Sequence, residues 1–130
     1  MAIVLKPRAA VVDDDRLTRL IVRKTLERAG YDVEEGDCGT AALRLALGAP
    51  DVMVLDLQLP DMSGLAVCQA VPKTTAVVFL TADDTAATVD QCLRSGAMDC
   101  VHKPVAPDDL SARVDLARRL RQEGVRRAAH

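Results

Sequence analysis

The sequence predicts an α/β domain, a doubly wound five-stranded parallel sheet of order 2-1-3-4-5. Three observations predict it. Short apolar runs alternate with helix-period segments five times along 130 residues. The runs at 52–55 and 76–80 are apolar at every position, as strands covered on both faces are. The runs at 31–34 and 98–102 alternate apolar with polar, which suits half-exposed edges. Placing the alternating strands outside and the continuous ones inside gives 2-1-3-4-5, a common doubly wound arrangement.

Each element follows from local signals. Residues 9–12 form the first apolar run, with three aspartates behind it. Leu17, Leu20, Ile21, Val22, Leu26 and Ala29 then recur at helical spacing, and Gly30 closes that helix. A second helix is expected over 40–47, closed by Gly48 and Pro50. After the third strand, the loop 57–64 carries Pro60 and Gly64, and a short helix is expected over 65–71, ended by Pro72. Asp83 or Asp84 is expected to cap the fourth helix, which ends at Ser95 and Gly96. Lys103-Pro104 interrupts the fifth strand. Pro107-Asp108-Asp109 starts a last helix running to about Gln122. The expected organisation is an extension over 1–7, one domain over 8–122 and a basic tail over 123–130.

Composition removes several functions. Seventeen basic residues against nineteen acidic ones give a net charge of −2, which argues against a dedicated nucleic-acid or membrane-surface binder. The arginines of the C-terminal stretch read first as a solvated helix face and frayed tail. One Tyr, one Phe and no Trp leave no stacking platform for single-stranded nucleic acid or a flavin. No apolar run approaches the length of a membrane span and no signal core precedes Lys6, so a cytoplasmic protein is expected. Cys38, Cys68, Cys92 and Cys100 form no CxxC pair and read as small buried apolar residues.

The polar residues just after the strands are the unusual ones. Asp13, Asp14 and Asp15 follow the first strand, Asp56 the third, Thr81 the fourth and Lys103 the fifth. In such sheets ligands bind outside the carboxyl ends of the strands, at the switch point between strands one and three. Asp13, Asp14 and Asp56 should converge there, with Thr81 and Lys103 alongside. Gathered carboxylates repel one another unless cations intervene. Lys103 supplies one positive charge; an oxygen-only ligand set favours Mg²⁺ over zinc for the rest. One carboxylate so neutralised can attack phosphorus as a nucleophile. Taken singly, each residue has an ordinary explanation as a cap, turn or loop residue, and Asp15 keeps the cap reading. His102, by alternation, faces away from the lysine and reads as a surface residue. Joint placement at four strand ends carries the functional reading.

On these residues the chain resembles the receiver domain of two-component response regulators, a flavodoxin-like (βα)5 fold, from about residue 8 to 120. The matching stretches are 11–15 (VVDDD), 56–64 (DLQLPDMSG), 80–82 (LTA) and 96–104, ending in Lys103-Pro104. The resemblance implies that Asp56 accepts a phosphoryl group from a sensor histidine kinase or a histidine phosphotransfer protein. It implies Asp14 as direct Mg²⁺ ligand, Asp13 through water, and the Gln58 backbone carbonyl as a further ligand; Mn²⁺ can substitute. Lys103 would bridge to a phosphoryl oxygen. Thr81 would shift to the phosphoryl group, moving the loop and helix after strand four. Gln58 and Asp83 hold positions that tune phosphoryl lifetime, and the Lys103-Pro104 bond is expected to be cis. Such a domain catalyses only its own phosphorylation and dephosphorylation. An effector domain or partner protein receives the output, and a homodimer through the last two helices and strand five is the usual candidate.

The chain departs from the pattern at Cys100, where the family carries an aromatic switch residue, and over 66–76, which is short. The expectation is a muted or rerouted switch carried by the helix after Thr81. A haloacid-dehalogenase-type phosphatase needs a second acid two residues after the nucleophile, where Gln58 stands. A flavodoxin-like electron carrier needs a hydroxyl-rich phosphate loop where the three aspartates stand. A phosphorylation-independent interaction module has no use for the complete set of strand-end residues.

Overall fold

The computed structural model of the chain describes residues 5–128. The elements run β1 (Arg8–Val12), α1 (Arg16–Arg28), β2 (Asp32–Gly36), α2 (Gly39–Ala46), β3 (Val52–Asp56), α3 (Gly64–Ala70), β4 (Ala76–Thr81), α4 (Ala86–Arg94), β5 (Asp99–His102) and α5 (Pro107–Ala128). All strand pairs are parallel and the order is β2-β1-β3-β4-β5, as the patterning predicts. Every residue of β3 and β4 is buried, whereas β2 and β5 are partly exposed. None of the described helices is long and apolar enough to cross a membrane.

Because successive strand side chains point to opposite faces, the sheet divides the apolar residues into two cores. Val11, Val54, Val78 and Leu80 meet Val22 and Leu26 of α1 and Leu110 and Val114 of α5 on one face. Val12, Met53, Leu55 and Phe79 meet Ala42 of α2, Val67 of α3 and Cys92 of α4 on the other. Tyr31, buried between α1 and β2, ties the first core together. Its hydroxyl donates to Asp115 Oδ1 at 2.6 Å and accepts from Arg118 Nε at 2.9 Å. Burial, and then the Asp115 carboxylate, push the phenol up to about 12. Gly30, at φ +98°, closes α1 in the left-handed conformation that a glycine adopts without strain.

Four expectations are corrected. Thr85, not Asp83 or Asp84, caps α4, its hydroxyl accepting from Thr88 N. The last helix continues past Gln122 to Ala128, so residues 123–128 are helix rather than tail. Good helix formers and the Glu123–Arg127 pair, one turn apart at 3.8 Å, carry it over Gly124. Cys68 and Cys92 are buried, but Cys38 and Cys100 are partly exposed. The second strand begins at Asp32, after Tyr31. Residues 1–4 of the expected extension and 129–130 of the expected tail lie outside the described residues.

Candidate functional site

Register alone gathers the strand ends. Val12 pairs with Leu55, Asp56 with Leu80, and Thr81 with His102, so residues 13, 56, 81 and 103 emerge side by side. Backbone bonds fix the exits: Leu57 N donates to Leu80 O at 2.9 Å and Lys103 N to Thr81 O at 2.8 Å. The Lys103-Pro104 peptide is cis, as expected. Asp14, Asp56, Gln58, Thr81, Asp83 and Lys103 line one cleft of about 450 Å³ with Leu59, Pro60 and Ala82.

Asp13 is fully buried. Its Oδ1 accepts from Asp15 N at 2.8 Å, and Arg19 Nη1 donates to its backbone carbonyl at 2.8 Å. Arg19 is a supporting residue the sequence reading did not single out; its signal was a cation one turn beyond the Asp15 cap. Asp15 keeps its expected role, accepting from Thr18 N at 3.2 Å. Asp56 is also buried, its Oδ1 accepting from Gln58 N at 3.1 Å. Lys103 Nζ stands between the two acids, 2.8 Å from Asp13 Oδ2 and 3.2 Å from Asp56 Oδ2.

Electrostatics follow from this crowding. Burial raises the Asp56 pKa and the Asp13 charge adds to the rise; Gln58 N–H and Lys103 oppose it. Burial alone would pull the Lys103 pKa down, but Asp13 and then Asp56 outweigh it and hold the ammonium protonated. Asp13, Asp14 and Asp56 each offer an oxygen within 4.8 Å of the others. Asp13 Oδ2 is buried and, despite the nearby ammonium, receives no well-aligned hydrogen bond. Three carboxylates against one ammonium leave excess negative charge. An all-oxygen set with an underused buried acceptor fits a hard divalent cation.

The loop after Asp56 is built tightly. Gln58 bridges Ser63, Gly64 N donates to Leu57 O at 2.8 Å, and Ser63 caps α3. A Cβ on Gly64 would collide with the Asp56 carbonyl oxygen. Thr81 is buried, its Oγ1 accepting from Asp83 N at 3.0 Å. Asp83 lines the cleft but spends its carboxylate on α4, accepting from Thr85 N and the Thr88 hydroxyl. Cys100 packs partly buried against the second core. His102 is exposed, as expected, with Nε2 3.0 Å from Ala82 O.

Comparisons place this arrangement. The response regulator receiver domain family matches residues 9–115. Response regulator MprA of Mycobacterium avium is 39% identical over 121 residues, covering 89% of this chain and 53% of the relative. The chain thus spans about half the length of the curated relatives it matches. The BeF3-activated receiver domain of DrrB, from a Thermotoga maritima OmpR/PhoB homologue, is 34% identical with a TM-score of 0.81. That match covers 87% of this chain and 97% of the other. The signal receiver domain of a LuxO repressor protein from Vibrio parahaemolyticus superposes with a TM-score of 0.87 at 26% identity, covering 97% of this chain and 100% of that one. With the strand order, the gathered strand ends and the family match in agreement, the chain belongs to the receiver domains of two-component response regulators.

Proposed function

We propose that Asp56 is the phosphoacceptor of this receiver domain, charged by a histidine of a sensor kinase or phosphotransfer protein. The observation that carries the reading is the Lys103 ammonium seated between Asp13 and Asp56, with Asp14 beside them. An Asp56 oxygen attacks phosphorus; the P–O bond forms as the P–N bond to the donor histidine breaks. The departing nitrogen keeps the electron pair, takes up a proton and leaves as imidazole. Lys103 turns part of its bonding from the carboxylates to a phosphoryl oxygen, and the Thr81 hydroxyl donates to another.

Asp13, Asp14, Asp56 and the Gln58 backbone carbonyl would hold Mg²⁺, or Mn²⁺ in its place. Bound there, the ion supplies the positive charge against which phosphoryl oxygens are neutralised. Asp14 is exposed and open to direct ligation, whereas buried Asp13 sits deeper, beside Lys103. The domain turns over no external substrate: its product is its own acyl phosphate, which changes its affinity for an effector domain or partner protein. Its free cysteines suit a reducing cytoplasm.

Intact-chain mass spectrometry after incubation with a small phosphodonor and Mg²⁺ tests the reading. The wild-type chain should gain one phosphoryl group, chelation of the metal should abolish the gain, and Asp56→Asn should gain none. Equal labelling of Asp56→Asn sinks the assignment.

A further inference from the structure

The sequence puts Asp83 beside the phosphoryl site, yet its carboxylate faces α4. Asp83 Oδ1 accepts from Thr85 N at 2.9 Å, and Oδ2 accepts from the Thr88 hydroxyl at 2.8 Å. A carboxylate only accepts, so the single Thr88 hydroxyl proton is committed to it. The Thr85 hydroxyl therefore donates to Thr88 Oγ1 at 3.1 Å while accepting from Thr88 N at 3.3 Å. These bonds hold the Asp83 carboxyl below its ordinary range, Thr85 N–H foremost. They form a closed ring over the first turn of α4.

The ring is tied to the cleft at one atom. Asp83 N donates to Thr81 Oγ1 at 3.0 Å, and Thr81 lines the same cleft as Asp56 and Lys103. His102 Nε2, 3.0 Å from Ala82 O, steadies the residue between Thr81 and Asp83. Elsewhere α4 has little to hold it, since Cys92 is its one buried side chain. On the strand beneath, Cys100 is a small half-buried thiol with no ring to turn between an inner and an outer position.

We propose that Asp83 is a positioning residue that clasps the first turn of α4 to Thr81, and that engagement of Thr81 by a phosphoryl group opens the clasp. The proposal rests on the phosphoacceptor reading of Asp56. A threonine side chain occupies discrete staggered wells, so turning its hydroxyl to a new partner removes it from the old one. Asp83 N–H then loses its acceptor, the 82–85 loop shifts, and the carboxylate no longer meets Thr85 N and Thr88 Oγ1 together. The first turn of α4 loses its cap network, and the switch travels through hydrogen bonds where strand five has no aromatic lever.

Hydrogen exchange at the amides of Thr85, Thr88 and Val89, with and without phosphodonor and Mg²⁺, tests the clasp. Phosphorylation should speed their exchange in the wild-type chain about tenfold, as the Thr85 amide loses its carboxylate acceptor and the Thr88 and Val89 amides lose the Thr85 hydroxyl and carbonyl that the clasp holds in place. Thr88→Val keeps the shape but removes the hydroxyl, so it should exchange fast before phosphorylation and gain little after it. Thr88→Ser should behave as wild type. Protection of the β3 amides in the same samples reports an intact fold. Unchanged wild-type exchange on phosphorylation overturns the proposal, as does a full phosphorylation step in Thr88→Val. A wild-type chain that gains no phosphoryl mass overturns the reading of Asp56 instead. Slow exchange in unphosphorylated Thr88→Val then still removes the clasp on its own evidence.

Discussion

Lys103 serves the fold through its charge, and the pH dependence of its removal tests this. Before any phosphoryl group arrives, it compensates two buried carboxylates, Asp13 and Asp56. Replacing it by Met leaves those charges facing each other without a cation. Such a loss costs about 3 kcal/mol when one partner of a buried pair is removed. The sign of its pH dependence follows from Asp56, whose pKa is already raised by burial and by Asp13. A carboxyl with a raised folded pKa favours the fold below its unfolded value and loses that contribution as pH rises through the folded value. Losing Lys103 raises it further, so the penalty of Lys103→Met should be full at neutral pH and shrink as acid protonates Asp56. Metal-free urea unfolding at pH 7 and pH 5 measures this; an equal penalty at both would show that Lys103 acts through packing. Gly64 governs the same site without charge. Gly64→Ala should displace the Asp56–Leu57 backbone, costing about 2 kcal/mol of stability and slowing phosphorylation together.

At the scale of elements, the helix N-termini separate what sequence shows from what it hides. Asp15 before α1 and Ser63 before α3 cap their own helices, because cap and helix are neighbours in the chain. The N-cap of α2 is Cys38, which makes no side-chain cap bond. Asp61, from the loop after β3, supplies the acceptor instead: Gly39 N at 2.6 Å, Thr40 N at 3.0 Å and Thr40 Oγ1 at 2.9 Å. Nothing local marks Asp61 as a cap, since α2 and β3 lie between it and the amides it caps, 22 residues along the chain. The fourth helix misled for the opposite reason. Asp83, Asp84 and Thr85 are all good caps, and the choice of Thr85 depends on Asp83 being drawn to Thr88. The strand-end residues and the strand order were legible because they follow from period-two patterning and topology. Asp61 gives a test of the hidden kind. Its pKa is lowered, chiefly by Gly39 N–H and then Thr40 N–H, so its stabilisation exists above the unfolded pKa and disappears as pH falls through the folded one. Asp61→Ala should lower the urea midpoint at pH 7, and the difference should close only as pH falls below the ordinary carboxyl value toward the lowered folded one.

For the molecule as a whole, the acidic site is a cost to folding that a ligand can offset. The parallel sheet brings Asp13, Asp14 and Asp56 together from β1 and β3, and the unfolded chain has no such gathering. A cation that binds only the folded arrangement stabilises every element that creates it, from the β1–β3 register to the α1 cap at Asp15. Linkage fixes the size: about 2.7 kcal/mol when free ion exceeds Kd about a hundredfold. Thermal unfolding should therefore move to higher temperature with added Mg²⁺ and return on chelation. Asp14 is the informative residue to remove, because it is exposed while Asp13 is buried beside Lys103. Asp14→Ala should hold or slightly raise the metal-free stability, because it removes one of the mutually repelling carboxylates, and lose the Mg²⁺-dependent rise, whereas Lys103→Met should lower the metal-free stability and keep a rise. If Asp14→Ala gains as much from Mg²⁺ as the wild-type chain, the ion is held elsewhere, and the three gathered acids owe their proximity to the sheet register alone.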